Sequence, residues 1–169
     1  MAAEYHLDMY ANALEFLEEE RAAWRPFEAL LELSDADLSV ELESAHGWSG
    51  RDLMSHVNHW QGVALAVAQD LALRETSQTK VDADIEWADR GDELNEAIRL
   101  TDQLLPMDEL RARFISVPGE LRGYLTVVPE TRWLKNTEYE NFFLDETTDH
   151  YEAHLPDLAA VLAYAAARA

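Results

Sequence analysis

Apolar residues recur three and four positions apart along almost the whole chain, and the strict alternation of a strand is scarce. That period predicts helices throughout. The first runs from about Glu4 to Leu31, with a stripe of Leu7, Tyr10, Leu14, Leu17, Trp24 and Leu31 that Arg21 interrupts. Pro26 bends or splits its last turns, because proline lacks the N–H and crowds the preceding turn. Residues 34–47 are polar, acidic and mixed, and predict a loop.

The second helix announces its start. Ser49 is a capping residue, and Asp52 three positions on completes a capping-box-like pair that suits the positive end of the helix dipole. The stripe that follows is Leu53, Val57, Trp60, Ala64, Val67 and Leu71. A polar connection from Arg74 to Asp89 holds Trp87. The third helix reads as one kinked unit in pieces. Leu94, Ile98, Thr101 and Leu105 form one face before Pro106, and Leu110, Phe114, Val117, Leu121, Tyr124 and Val128 form the next. Pro106 suits the first turn of that second piece. The face runs in register across Pro118, and Val128-Pro129 ends it. Residues 130–139 are a connector. The fourth helix runs from about Asn141 to Ala167 with Phe143, Thr147, His150, His154, Leu158, Val161 and Ala165 on its stripe, and a kink expected at Pro156.

Four long helical units without strands predict an all-α, four-helix bundle. No internal repeat or linker divides the chain, so residues 1–169 are read as one domain. That length is enough to bury a core.

Composition narrows the chemistry. There is no cysteine, which removes disulfides, thiol nucleophiles and iron–sulfur ligation. The formal net charge of −21 argues against nucleic acid and anionic membranes as partners, and raises the local concentration of cations. Two lysines stand against eleven arginines, a bias that fits genomic base composition or salt adaptation. The acidic opening Met-Ala-Ala-Glu-Tyr-His lacks the apolar run of a secretion signal, and the longest apolar run, residues 158–167, is far short of the roughly 20 residues that span a bilayer. A cytoplasmic protein is expected.

His150 and His154 carry the candidate chemistry. Four apart on a helix, they share one face, at positions where the stripe calls for apolar side chains. A buried imidazole without a partner costs about 1–3 kcal/mol, so the pair needs hydrogen bonds or a metal. Imidazole ligates zinc, nickel, copper and iron, and the four-residue spacing is the device of helical zinc sites. His56 faces inward beside Leu53, Val57 and Trp60 and is the candidate third ligand. Each histidine has a plain alternative as a hydrogen-bonded core residue. Asp52 and Glu146, each four residues before a candidate ligand, are candidates to orient an imidazole or move a proton, against the simpler roles of helix cap and solvated surface. His59, one turn past His56, is a further acid–base candidate. Asn95, Arg99 and Trp60 are candidates to line a pocket. His6, His46, Tyr151 and Glu152 receive no functional role. Nucleophile-elbow, phosphate-loop and dinucleotide motifs are absent.

Three segments together resemble the DinB/YfiT-like superfamily of helical bundles, in its ClbS/DfsB-like branch. Residues 48–60, Trp-Ser-Gly-Arg-Asp-Leu-Met-Ser-His-Val-Asn-His-Trp, are similar to the opening of that family's second helix. Residues 92–98 are similar to a Leu-Asn-x-x-Ile segment, and residues 148–158 to an ending in which His-Tyr-x-x-His precedes Leu/Ile-Pro-Asp. The resemblance implies up-down-down-up topology with a long crossover between helices two and three. It implies a divalent metal, zinc or nickel, on His56, His150 and His154, and a homodimer. Some relatives are thiol-dependent transferases or isomerases, and ClbS-type relatives are linked to hydrolytic protection against toxins. The chain departs from the pattern at Gln61, where relatives often carry Glu.

Three functions are therefore in competition. One is a metal-dependent enzyme acting on a small molecule by activating water or a low-molecular-weight thiol, with Glu146, Asp52 or His59 moving the proton. Another is a bundle that binds metal or a small ligand without turnover. The last is a structural dimer whose histidines are hydrogen-bonded relics.

Overall fold

The structure is a computed structural model that describes residues 9–169, and it is all-helical, with no β-strand among the described residues. The expected features at His6 and Leu7 lie outside those residues. No described helix is long and apolar enough to cross a membrane.

Helix α1 spans Ala13–Trp24 and starts where the Asn12 side chain accepts a hydrogen bond from the Glu15 N–H. At Arg25 the chain tightens into 3₁₀ turns through Glu32, with Pro26 in the first turn. The buried face differs from the expected stripe. Phe16, Glu20, Trp24, Phe27 and Leu30 point inward, whereas Leu14 is 63% exposed. Glu20 misleads a reading by polarity, because its carboxylate is buried with partners. The Arg122 Nε donates to it at 2.5 Å and the Tyr151 hydroxyl at 2.9 Å. Gln61 Nε2 donates to that hydroxyl at 2.8 Å, and Asn58 Nδ2 to Gln61 Oε1 at 3.2 Å. A chain of polar groups thus crosses the interior with its members paired, as burial demands. Burial and the Glu20 charge hold the Tyr151 hydroxyl protonated well above its usual range.

Residues 34–47 hold more order than the expected loop. Helix α2, Asp35–Leu38, is a single turn capped by Ser34. Beyond it, Leu42 bridges Trp48, and the reversal between them is made by His46 and Gly47, both at positive φ. Helix α3 then spans Gly50–Leu73 from the expected Ser49–Asp52 capping box. Leu53, Val57, Trp60, Ala64, Val67 and Leu71 are all buried, as their spacing predicts.

The connection expected after Arg74 is instead helix α4, Gln78–Arg90. It buries only Lys80, so its sequence offers no apolar stripe to read. Its support is polar. Lys80 Nζ bonds Asp84 at 2.6 Å and Glu138 at 3.0 Å. Gly91, at φ +51°, separates α4 from α5, Asp92–Asp102. Residues 103–106 then divide α5 from α6, Met107–Val127, so the third helical stretch is two helices. Pro118 lies inside α6 without ending it, and Leu110, Phe114, Pro118, Leu121 and Leu125 are its buried face.

The fourth stretch is likewise divided. Helix α7 spans Thr137–Asp145 and α8 spans Thr148–Ala166. Thr147, at φ −127° and ψ −100°, breaks the helical path, and its hydroxyl satisfies the Phe143 carbonyl. Pro156 sits inside α8 without ending it.

Helix α3 is central and packs against α4, α5, α6 and α8. One apolar cluster joins Phe16, Val67, Leu71, Leu121, Trp133 and Phe143. The other joins Trp24, Phe27, Leu53, Val57, Phe114, Tyr151, Leu158 and Val161. Each such large side chain contributes about 1.5–3 kcal/mol by leaving water. At Gly50 a Cβ would meet Leu38 and Val161 side chains at 2.8 Å, so the missing side chain lets α2 and α8 close on the start of α3.

The buried Glu20 sets a stability test. Replacing Arg122 by Met leaves that carboxylate without its cation and should cost about 3–5 kcal/mol in urea unfolding. Adding Glu20→Gln to the same chain should recover part of the loss. Equal stabilities of Arg122→Met and the unchanged protein would show that the pair contributes nothing.

Candidate functional site

The Ser49–Asp52 box fixes where α3 begins, and the Thr147 break fixes where α8 begins. His56 lies in the second turn of α3. His150 is in the first turn of α8, and His154 is one turn on. The two helix starts bring the three rings together. The His56 and His150 ring centroids are 4.9 Å apart, His56 and His154 4.8 Å, and His150 and His154 4.9 Å. One ligand nitrogen from each falls within 4.8 Å of the others. Residues 94 positions apart thus meet in one interior triangle. The expectation that all three converge holds.

The His56 and His150 Nε2 atoms are 2.9 Å apart, so the proton on one is donated to the other. Both rings stay neutral. Burial, with the neighbouring histidines adding to it, pushes His56 down to about 2 and His150 to about 3. The His150 Nδ1 is buried without a hydrogen-bond partner. His154 is oriented by a residue that the spacing of the histidines does not single out. Its Nδ1 donates to Asp157 Oδ2 at 2.8 Å, and Asp157 is 5% exposed. In a neutral ring that bond fixes the tautomer and puts the lone pair on Nε2. The signal available was the three-residue spacing from His154 to Asp157, which on a helix puts the two side chains side by side. Trp48, delivered by the His46–Gly47 reversal, lies over the group. It stacks on His154 at 5.8 Å and 19°, and tilts against His56 at 4.8 Å.

The histidines form one wall of an open cavity of about 430 Å³. Trp60, Trp87 and Asn95 line it too, as do Asp84, Asp145 and Glu146, and Trp60 stands one helical turn past His56 on α3. Trp60 and Asn95 take the places expected of them, joined by the Trp60 Nε1–H donating to Asn95 Oδ1 at 3.2 Å. Glu146 sits at the end of α7, in the break before α8. Burial, then the charges of Asp145 and Asp84, push its carboxyl up to about 8. A carboxyl so placed exchanges protons near neutral pH.

Other candidates lie elsewhere. Asp52 does not line the cavity. One oxygen accepts from the Ser49 N–H and hydroxyl at 2.9 Å. The other accepts from Gln103 Nε2 at 3.0 Å and faces Arg99 at 3.6 Å. It caps α3 and ties α5 to it, which leaves a proton-moving role unsupported. Arg99 is spent on Asp52 and on Glu96 at 2.8 Å and stays out of the cavity. His59 lines a separate cavity with Asp102 and Arg113. Three residues past His56, at about 100° per residue, its side chain is turned about 60° off the histidine face. Gln61 is fully buried in the Tyr151 network, so the departure from the resembled pattern falls in the core, not in the site.

No family model, curated protein or solved structure matches the chain.

The neutral rings make stability depend on pH. His56 and His150 have folded values below the unfolded value of about 6.5, so their contribution is present above that pH and lost as pH falls toward 3. In metal-free protein, replacing both by glutamine should flatten the decline of unfolding free energy between about pH 6.5 and 3. Glu146 acts in the opposite direction. Its folded value is raised, so its contribution is present below about 4.5 and lost as pH rises through about 8. Glu146→Gln should therefore raise the melting temperature at pH 9 and leave it nearly unchanged at pH 4. An equal shift at both pH values would show that the carboxyl titrates normally.

Proposed function

We propose that this chain is a metal-dependent enzyme in which His56, His150 and His154 hold one divalent ion, zinc or nickel. The single observation that carries the reading is the convergence of three imidazoles from two helices at the wall of an open cavity. The donor set fits such an ion. Ligation needs neutral imidazole, and burial keeps two of these rings neutral. The third has its tautomer set by a buried carboxylate, the usual companion of a ligating histidine. Tetrahedral bonds near 2.1 Å put neighbouring ligand atoms about 3.4 Å apart, and the nitrogens here span 2.9 Å to at most 4.8 Å. Three protein ligands are the number found in catalytic rather than structural zinc sites.

When bound, such an ion lowers the pKa of a coordinated water or thiol toward neutrality. The chain's own residues supply the rest. Asp157 holds His154. Trp48 covers His154 and His56 and keeps solvent from that side. Glu146, on the cavity edge, takes or gives the proton. Its raised carboxyl suits both directions near neutral pH. The substrate is a small molecule, and the reaction is hydrolysis or transfer of a low-molecular-weight thiol. This assignment, the up-down-down-up bundle and a homodimer are what resemblance to the DinB/YfiT-like superfamily supports. The all-helical fold and the histidine triangle agree with it.

Equilibrium dialysis against zinc or nickel, followed by elemental analysis, tests the centre. One ion per chain is expected. The His150→Ala/His154→Ala variant should retain none, and Asp157→Asn should weaken binding about 10–100-fold. Absence of stoichiometric metal in the unchanged protein would sink the proposal, and would leave the His56–His150 hydrogen bond as a structural pair. Turnover of an ester, amide or thiol-adduct substrate should disappear in His56→Ala and fall in Glu146→Gln.

A further inference from the structure

The cavity beside the histidines has a wall that the metal centre does not use. Trp60 and Trp87 meet there at right angles, with ring centroids 5.8 Å apart. They form a corner with two aromatic faces. Trp87 is 45% exposed although it lines a cavity, so half of a large apolar ring is left for something else to cover. Phe142 adds a further aromatic lining.

The charge of the lining has one sign. Asp84, Asp145 and Glu146 border the cavity, and no lysine or arginine does. Lys80 is the nearby cation, and it is spent on Asp84 and Glu138 at 2.6 and 3.0 Å. No hydrogen bond or ion pair within the described residues meets the half-buried Glu146 carboxyl, so a cation beside it favours its ionised form. An aromatic corner next to unanswered carboxylates is the arrangement that holds an organic cation, because the ring faces and the carboxylates attract the same charge.

We propose that the cavity takes a substrate carrying a cationic nitrogen on a compact apolar body, with the cation between the Trp60–Trp87 corner and Glu146. The volume of about 430 Å³ suits a small molecule of this kind. The histidine wall then faces the uncharged part of the same molecule, where the chemistry occurs. An anionic substrate meets only like charge. This proposal deepens the enzyme reading and rests on it for the site's purpose, but the recognition itself belongs to the aromatic and acidic lining rather than to the histidines.

Calorimetric titration of the full chain at fixed ionic strength tests it, with three probes of similar size. Benzyltrimethylammonium carries the cation and has no lone pair for a metal. Benzyl alcohol is neutral, and benzenesulfonate is anionic. The cation should bind saturably and about tenfold tighter than the alcohol, and the sulfonate should not bind measurably. Trp87→Ala, on a half-exposed position whose loss leaves the core intact, should weaken the cation about tenfold. Glu146→Gln should weaken the cation and leave the alcohol unchanged. Equal affinity for cation and alcohol, or an unchanged cation affinity in Trp87→Ala, would overturn the proposal. The measurement is made on metal-free and zinc-treated protein. Cation preference without stoichiometric zinc would sink the metal centre and leave this inference standing. One zinc per chain without cation preference would sink this inference alone.

Discussion

Everything at the site depends on how helix α8 is rotated about its own axis, and that rotation is set by Tyr151. Its phenol is buried outside the cavity lining, where it donates to Glu20 and accepts from Gln61. Its ring packs against Trp24 at 5.2 Å and Phe27 at 5.8 Å. A tyrosine held at both ring and hydroxyl cannot turn without breaking a buried polar chain, at a cost of about 1–3 kcal/mol per group left unpaired. His150 is the next residue back and His154 lies three residues on, so both inherit their direction from that anchor. The Gly50–Val161 approach fixes the other variable, the distance between α8 and the start of α3.

How much of this was legible in the chain depended on whether apolar spacing carried the information. Helix α3 was readable to its capping residue because its stripe is regular and its cap is made of the residues that favour caps. The three histidines were readable because they occupy inward positions of two stripes, where imidazole is out of place unless it has a task. Helix α4 was hidden because it is held by Lys80 and its acidic partners rather than by an apolar face. The face of α1 was misassigned because Glu20 looks like solvent-facing charge, and its burial is made possible by Arg122 and Tyr151, more than a hundred positions away. The break at Thr147 left no mark on the pattern, since the apolar register of α7 and α8 runs across it. Yet that break puts Glu146 at a helix end facing the cavity. Asp157 was visible in the residues following His154, but its role emerges only when its burial against the imidazole is seen.

The chain's large negative charge has a local meaning as well as a global one. Most of its carboxylates face water, where ionisation costs little. Two classes do not. Glu20 and Asp52 are buried and answered by arginine, hydroxyl or amide groups, and so serve packing. Glu146 is half-buried and has no hydrogen bond or ion pair among the described residues, and desolvation raises its proton affinity instead. The difference between a structural and a reactive carboxylate here is the presence or absence of a partner, not depth alone.

The carboxylate of Asp52 is shared between two jobs. One oxygen begins α3, and the other receives Gln103 and Arg99, which belong to α5 and the turn after it. Helix α5 also carries Asn95, the residue that steadies the Trp60 indole. A single carboxylate outside the cavity therefore helps to set how far Asn95 stands from the histidine-bearing start of α3. The width of the opening can thus drift over generations through a residue that no bound molecule ever touches.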